Sequence, residues 1–131
     1  MNPSLYILMR TDMASMNAGK GMAQAAHAAN QFLRDAADAD DISVDTLPWE
    51  EQARGFGTTI TLAVPTERAM KEAVDAARAE GFIAGVVHDS TYPLRDGKVT
   101  HLIPVDTCAY VFTPCRAEHP VEALAGMSLH P

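Results

Sequence analysis

Short apolar runs alternate along this chain with stretches of helical periodicity, and that alternation limits its possible folds more than any other feature. Strand-like runs lie at residues 5–9, 58–64, 82–87 and 99–112. Helical patterns cover residues 20–38 and 67–80, the second bounded by an N-cap at Thr66 and a C-cap at Gly81. Since alternating helices and strands pack as layers, the order predicts an α/β fold. We expect a three-layer α/β/α domain around a four-stranded, mixed and mostly parallel sheet.

The stretches between these elements are predicted as loops and short turns. Loops are expected at residues 39–47 and 88–98, the second with a tight turn at 96–97. Pro48 suits the first turn of a short helix, which the following glycines end. Pro104 has no N–H group to donate, so it predicts a disturbance in the fourth strand.

Length and composition predict one cytoplasmic domain. At 131 residues with 47% hydrophobic residues, the chain suits a single domain over 1–131, with a core at about 5–112. The tail, 113–131, adds a helical turn or is loose. No apolar run approaches the ~20 residues that cross a bilayer, and the first run is too short for a signal peptide. A formal charge of −7 argues against indiscriminate nucleic-acid binding but is compatible with a local basic cleft.

Neither the cysteines nor the tryptophan predicts a special chemistry. Cys108 and Cys115 are expected to be reduced thiols, because two cysteines do not make a disulfide framework in a chain of this size. Cys108 lies in an apolar strand and is interpreted as a core residue. No Cys or His spacing typical of a metal site occurs, so no metal is expected. Trp49 is interpreted as a packing anchor on a short amphipathic helix.

The stretch "NAGKGMAQAAHAANQF" starts the first helix with a narrow polar stripe. At ~100° per residue the stripe contains Lys20, Gln24, His27 and Gln31. The opposite side contains Met22, Ala25, Ala26, Ala29 and Leu33. A solvated face and a binding surface both fit this pattern. A lysine in the first turn opposes the helix dipole and favours an anion, while its glycine neighbours leave room for close approach.

Four methionines surround that first turn: Met9, Met13, Met16 and Met22. Their flexible side chains fill irregular gaps in a core. They are also suited to line a binding site or a dimer contact, and the sequence leaves these alternatives open.

The segment "LMRTDMASMNAGKGMAQAAHAA" resembles the N-terminal motif of the type 2 peptidyl-tRNA hydrolases. In that motif a strand ends in Arg-Thr-Asp, and Gly-Lys opens a helix with Ala-Gln and Ala-His-Ala. The resemblance continues through Trp49 and Glu50, the strand "TTITLAV" and the strand that ends at Asp89. It covers most of residues 5–112.

The resemblance implies a compact, usually dimeric α/β/α domain that hydrolyses the ester of peptidyl-tRNA without a metal or organic cofactor. Lys20 matches the family's functional lysine, Asp89 its aspartate after strand three, and Thr100 a threonine at the start of strand four. Lys20 would bind a phosphate or stabilise an oxyanion. Asp89 would orient or deprotonate a water, or hold Lys20 in place; a hydroxyl of Thr91 or Thr100 would position that water or the ester.

The chain departs from the family pattern in the loop "HDSTYP". The family has Asp, any residue, Gly, Arg, Thr and Gln, whereas Pro93 stands here where the threonine is expected. Pro93 offers no hydroxyl and has a fixed φ. Either Thr91 substitutes for that threonine, or the loop serves another substrate. Tyr92 is predicted as a loop aromatic that stacks on a base.

These inferences define a candidate site and its alternatives. The expected catalytic residues are Lys20, Asp89, Thr91 and Thr100. The expected substrate-binding residues are Arg10, Asp12, Gly19, Gln24, His27 and Tyr92. The expected activity is hydrolysis of peptidyl-tRNA by a cytoplasmic homodimer that contacts no membrane. A non-hydrolytic RNA- or protein-binding member of the fold, or a small-molecule hydrolase, is the alternative.

Overall fold

The computed structural model describes residues 3–39, 46–114 and 121–131. Its strands are β1 (Ser4–Arg10), β2 (Thr59–Val64), β3 (Ile83–Asp96) and β4 (Val99–Thr113). Its α-helices are α1 (Ala18–Asp38), α2 (Leu47–Glu50) and α3 (Glu67–Ala79), and short 3-10 helices span Gln52–Gly55 and Glu122–Leu124. This is the predicted α/β fold. Most of the predicted loop at 39–47 lies outside the described residues, and so does Cys115.

One four-stranded mixed sheet, in the order β2-β1-β4-β3, forms the centre of the fold. The prediction of a mostly parallel sheet is wrong, because only β1 and β2 pair in parallel. The reason is the tight turn at Gly97 and Lys98, which joins β3 directly to β4. A connection that short forces antiparallel pairing, whereas parallel neighbours need a long crossover.

Alternate residues of β1 belong to two separate cores. Leu5, Ile7 and Met9 pack with residues of α1 and with Trp49, whereas Leu8 packs with residues of α3. Successive side chains of a strand point to opposite faces, so α1 and α3 pack against opposite faces of β1. The expected anchoring role of Trp49 is confirmed, since the residue is 5% exposed.

Helix α3 begins and ends with the predicted caps. The Thr66 hydroxyl accepts a hydrogen bond from the amide of Ala69 at 3.0 Å. At the other end Gly81 has φ +94°, and the amides of Gly81 and Phe82 donate to the carbonyls of Arg78 and Ala77. This pair of bonds is the Schellman arrangement, which favours glycine at that position.

The predicted loop at 88–98 is instead strand: β3 continues to Asp96 and forms a long hairpin with β4. Two register shifts interrupt this hairpin. Between the pairs Val87–Cys108 and His88–Asp106, the residue Thr107 has no partner in the register. Between Asp89 and Tyr92 the second shift lies opposite Pro104, so the predicted disturbance there is confirmed. A bulge re-aims side chains, and both shifts lie next to Asp89.

The C-terminal tail is tied to the outer edge of β2. The amide of Ala63 donates to the carbonyl of Ser128 at 2.8 Å, and that of His130 donates to Thr61 at 3.0 Å. The described part of the tail therefore adds both a helical turn and a short strand pairing, instead of being loose. Across the described ranges, no helix is long and apolar enough to cross a membrane.

Candidate active site

The polar stripe of α1 faces the sheet. Gln24 is 2% exposed, while Met22, on the apolar side, is 73% exposed. Gln31 donates from Nε2 to the carbonyl of Val86 at 2.8 Å. The interpretation of the whole stripe as a solvated face is therefore wrong for Gln24 and Gln31, although His27 is exposed. Packing alone would favour apolar side chains on the buried face of a helix. Polar side chains at those positions supply hydrogen-bonding groups instead.

Asp89 is held at the start of the second register shift by hydrogen bonds to both of its oxygens. Gln24 Nε2 donates to Oδ2 at 2.7 Å. The backbone amide of Thr91 donates to Oδ1 at 2.9 Å, and the Thr91 hydroxyl lies 3.3 Å from the same oxygen. The structure thus brings together three predicted site residues, Asp89, Gln24 and Thr91. A carboxylate fixed at both oxygens has a defined orientation towards whatever lies beside it.

The surroundings of Asp89 stabilise its charged form. Partial burial raises its pKa, but hydrogen bonds from Gln24 and Thr91 and the charge of His27 together outweigh burial, so that the net pKa is below the ordinary value of 3.8. Asp89 is therefore a carboxylate at neutral pH. In that form it accepts hydrogen bonds and has the charge needed to orient a water molecule.

Thr107 belongs to the site, although its sequence context did not indicate this. Its hydroxyl donates to Gln24 Oε1 at 2.6 Å, and the residue is fully buried. An amide whose oxygen accepts from Thr107 must turn its NH₂ group the other way, towards Asp89. A threonine in an apolar strand is usual, and only the register shift at this position aims it at α1.

We expect Thr107→Val to weaken both stability and the orientation of Asp89. Valine preserves the shape but leaves Gln24 Oε1 buried without a donor, which costs about 1–3 kcal/mol of unfolding free energy. Urea unfolding measures this loss, and Thr107→Ser, which retains the hydroxyl, is the control. A valine variant as stable as the wild-type protein would show that the hydrogen bond has no such role.

Lys20 lies over the hairpin that follows Asp89. The side chain of Asn17 caps α1 by accepting from the Lys20 amide at 2.9 Å. Lys20 Nζ donates to the carbonyl of Pro93 at 2.8 Å and lies 5.2 Å from the centre of the Tyr92 ring. No ion pair joins Lys20 to Asp89 within the described chain, so the expectation that Asp89 holds Lys20 directly is not met. The ammonium group of Lys20 has three N–H donors, and one of them binds the carbonyl of Pro93.

Tyr92 supports Lys20 and is not free to stack on a base. The residue is fully buried in β3, and its hydroxyl lies 2.9 Å from Ser15 Oγ. The prediction of an accessible loop aromatic is therefore wrong. The error follows from assigning 88–98 as a loop, since the continued strand turns this ring under α1.

Thr100 lies apart from the other predicted catalytic residues. It pairs with Arg95 near the end of the hairpin, whereas Asp89 pairs with Val105. The five residue steps from Thr100 to Val105 correspond to about 17 Å of extended strand. The geometry therefore favours Thr91 over Thr100 as the hydroxyl beside Asp89.

Arg10 and Asp12, both expected to bind substrate, bind each other. Arg10 Nε and Nη2 donate to the two carboxylate oxygens of Asp12, each at 2.9 Å. A third donor, Nη1, binds the carbonyl of Asp106 at 2.9 Å. This pair ties the end of β1 to β4, next to Thr107. Gly19 is exposed in the first turn of α1, with space for ordinary contacts around it.

A groove of about 520 Å3 runs between α1 and the edge strand β3 and reaches Asp89. Its charges are mixed. The groove is lined by three basic side chains, those of His27, Arg34 and His88. It is also lined by three carboxylates, those of Asp35, Asp38 and Asp89. The groove is wide enough for part of a substrate, and its mixed lining gives neither a strongly basic nor a strongly acidic surface.

The described residues contain no group of three His, Cys, Asp or Glu side chains arranged for a metal ion. Cys108 is a free, fully buried thiol, as expected for a core residue. Burial raises the pKa of Cys108 to about 12. Since the thiolate is the reactive form, Cys108 is not a nucleophile at neutral pH.

A family comparison identifies the group of proteins to which the chain belongs. The family model described as peptidyl-tRNA hydrolase PTH2 matches residues 4–114, which include every candidate site residue named above. No individual curated protein matches the chain. The match extends over most of the chain and confirms the resemblance seen in the sequence. The chain therefore belongs to the peptidyl-tRNA hydrolase PTH2 family.

Proposed function

We propose that the chain hydrolyses the ester bond between a peptide and the terminal ribose of tRNA. The observation that supports this best is the arrangement of one cation and one carboxylate by a single helix. Lys20 and Gln24 lie one turn apart on α1, and Gln24 binds Asp89. Asp89 borders accessible space, because it lines the groove between α1 and β3.

The reaction needs a water oxygen to bond to the ester carbonyl carbon, while negative charge develops on the carbonyl oxygen. Asp89 orients this water and takes its proton. The N–H groups of Lys20 that do not bind Pro93 stabilise the oxyanion. The bond from carbon to the ribose oxygen then breaks, and the proton held by Asp89 passes to that oxygen. The products are the free peptide acid and tRNA with its terminal hydroxyl restored.

In this mechanism Thr91 is the hydroxyl that positions the water, because it already contacts Asp89. Gln24 holds this carboxylate through its hydrogen bond, and His27 lines the groove beside it. We also propose that the protein works as a cytoplasmic homodimer with a three-layer arrangement, as the family resemblance implies.

A release assay with N-acetyl-phenylalanyl-tRNA tests the proposal. Purified protein is expected to liberate the blocked amino acid at a rate proportional to enzyme concentration. The same assay with the free amino acid ester, lacking RNA, separates a tRNA-dependent enzyme from a small-molecule hydrolase. Equal rates on both substrates would contradict tRNA as the specific substrate.

A non-hydrolytic RNA- or protein-binding role is the second candidate, and the hairpin supplies the observation that favours it. Pro93 replaces the threonine of the family pattern, and its carbonyl takes one of the hydrogen bonds of Lys20. The net charge of −7 opposes tight binding to phosphate, so within this candidate it favours a protein partner over RNA. Binding of tRNA that weakens with salt but releases no product would support an RNA-binding role.

A further inference from the structure

The outer edge of β3 is an open strand edge. The sheet order β2-β1-β4-β3 leaves β3 beside β4, and no second strand pairs with it within the described residues. The outer edge of β2, at the other side of the sheet, is by contrast covered by the C-terminal tail. An open edge presents backbone N–H and C=O groups that can pair with an added extended peptide.

Alternate residues of β3 point their backbone groups to this edge. The carbonyl of Ala84 accepts a hydrogen bond from Arg78 at 2.9 Å, and that of Val86 accepts one from Gln31 at 2.8 Å. Both carbonyls therefore face helix side chains at the edge. Since backbone groups that face the same side recur every second residue, His88 is the next residue of this set.

The first register shift does not interrupt this alternation, because its extra residue, Thr107, belongs to β4. The backbone N–H and C=O groups of His88 therefore face the groove between α1 and β3.

The groove follows the same edge and contains two of the proposed catalytic groups. Five consecutive residues of β3, 87–91, line it. Because side chains alternate between the faces of a strand, a run of consecutive lining residues is expected where a groove lies along the backbone edge. Asp89 and Thr91 are part of this run, so the groove begins at the proposed site of water attack.

The groove extends away from Lys20. Gln24 of α1 binds Asp89, and Gln31, two turns later, binds Val86, three residues earlier on β3. The helix and the strand thus run in opposite directions along the groove. Lys20 lies one turn before Gln24, outside this stretch. An ester held between Lys20 and Asp89 would therefore have one of its two sides, peptide or tRNA, in the groove.

The charges of the groove favour the peptide side. Even with both of its histidines charged, its three basic side chains would only balance its three carboxylates. An RNA strand carries one negative charge per nucleotide and needs a surplus of positive charge for binding. A peptide backbone is uncharged, and its amide groups match the donors and acceptors of a strand edge.

We propose that the groove binds the peptide part of peptidyl-tRNA as a short added strand along β3, with the esterified end at Asp89. The inference rests on the proposed function. The peptide would run parallel to β3, since its carboxyl end lies at Asp89 and its earlier residues lie towards Val86. These two residues are three steps apart, or about 10 Å of strand. Gln31 occupies the Val86 carbonyl, so the pairing takes about three peptide residues.

A methylation scan of the substrate tests this pairing with the wild-type protein. N-acetyl-trialanyl-tRNA is compared with three derivatives, each with one alanine amide N-methylated, after correction for spontaneous ester hydrolysis. Successive N–H groups of a strand point to opposite sides, so methylation removes a bond to β3 only at alternate alanines. We expect kcat/KM to fall about 5- to 10-fold for the middle alanine alone, or for the two outer ones alone. Equal losses at all three positions, or none, would overturn the inference.

A pair of variants tests the protein side of the same bonds. His88→Pro removes the N–H that faces the groove, and an edge strand tolerates proline at such a position. His88→Ala is the control, because it loses the same imidazole and its bond to Asp106 but retains the N–H. Wild-type protein is expected to prefer N-acetyl-trialanyl-tRNA over N-acetyl-alanyl-tRNA by about 10-fold in kcat/KM. His88→Ala should retain this preference and His88→Pro should lose most of it; an equal preference in both variants would contradict the assigned backbone role.

The two proposals fail in different ways. If wild-type protein releases neither product from tRNA, the hydrolytic function fails and the peptide assignment fails with it. If it releases both at rates that depend neither on peptide length nor on methylation, only the peptide assignment fails.

Discussion

Replacing Lys20 by alanine is expected to lower kcat for release of peptide from tRNA by a factor of about 100 to 1,000. That is the usual effect of removing a single donor aimed at a developing oxyanion. The ground-state role of Lys20 is small by comparison, since it makes one hydrogen bond to Pro93 and one contact with the Tyr92 ring. We therefore expect unfolding free energy to fall by only about 1 kcal/mol. Single-turnover kinetics and urea unfolding measure the two effects separately.

Lys98→Ala is the matched control, because Lys98 is an exposed lysine in the hairpin turn. It removes the same charge from the chain and is expected to leave kcat unchanged. Lys20→Arg preserves the charge with another shape, so partial activity is expected. A Lys20→Ala variant that matches Lys98→Ala in kcat would contradict the assigned role.

Asp89→Asn is expected to have an effect of similar size on kcat, about 100-fold or more. The substitution preserves the size of the side chain but removes the charge and the ability to take a proton from water. In the wild-type protein Gln24 and Thr91 donate hydrogen bonds to the two carboxylate oxygens. The NH₂ group of asparagine would face one of these donors and could not accept its hydrogen bond. Release of peptide under saturating substrate measures the change.

Asp75→Asn is the control for this variant. Asp75 is an exposed carboxylate on α3, away from the α1 side of the sheet. Both variants alter the net charge equally, so a difference between them reports on position. Comparable activity of the two variants would remove Asp89 from the mechanism.

The depressed pKa of Asp89 also fixes the direction of its pH dependence. Because the folded-state pKa is below 3.8, the charged form persists as pH falls from 7 to 5. We therefore expect protonation of Asp89 to lower kcat/KM only at pH values below the usual titration range of an aspartate. The same group stabilises the fold above its unfolded pKa, and this contribution is lost as pH falls through the lower folded value. A loss of kcat/KM centred near pH 6 that Asp89→Asn abolishes would contradict this description.

The sequence was sufficient where a local pattern determines the structure. Thr66 and Gly81 delimit α3 through bonds between residues three to five apart, so their identity alone predicts the caps. Pro104 similarly marks a break in pairing, because it lacks an N–H group. The antiparallel pairing of β3 with β4 was missed because 88–98 was assigned as a loop. That of β4 with β1 was missed because it joins residues about a hundred positions apart.

For the site, the sequence predicted the residue types better than their positions. Of the predicted site residues, Gln24 and Asp89 are in contact. Thr107 was missed because the register of the hairpin shifts next to it. Thr100 lies far from Asp89 because β3 continues to Asp96 where a loop was predicted. A shift of one residue changes which side chains face α1. Nothing in a single sequence gives that register.

The tail that pairs with β2 also protects the sheet from other chains. Without Ser128 and His130, the outer edge of β2 would present unpaired N–H and C=O groups. Exposed edges of that kind template pairing with further strands and so favour aggregation. The residues from Ser128 to His130 therefore protect the chain from aggregation, and loss of the tail would expose the edge of β2.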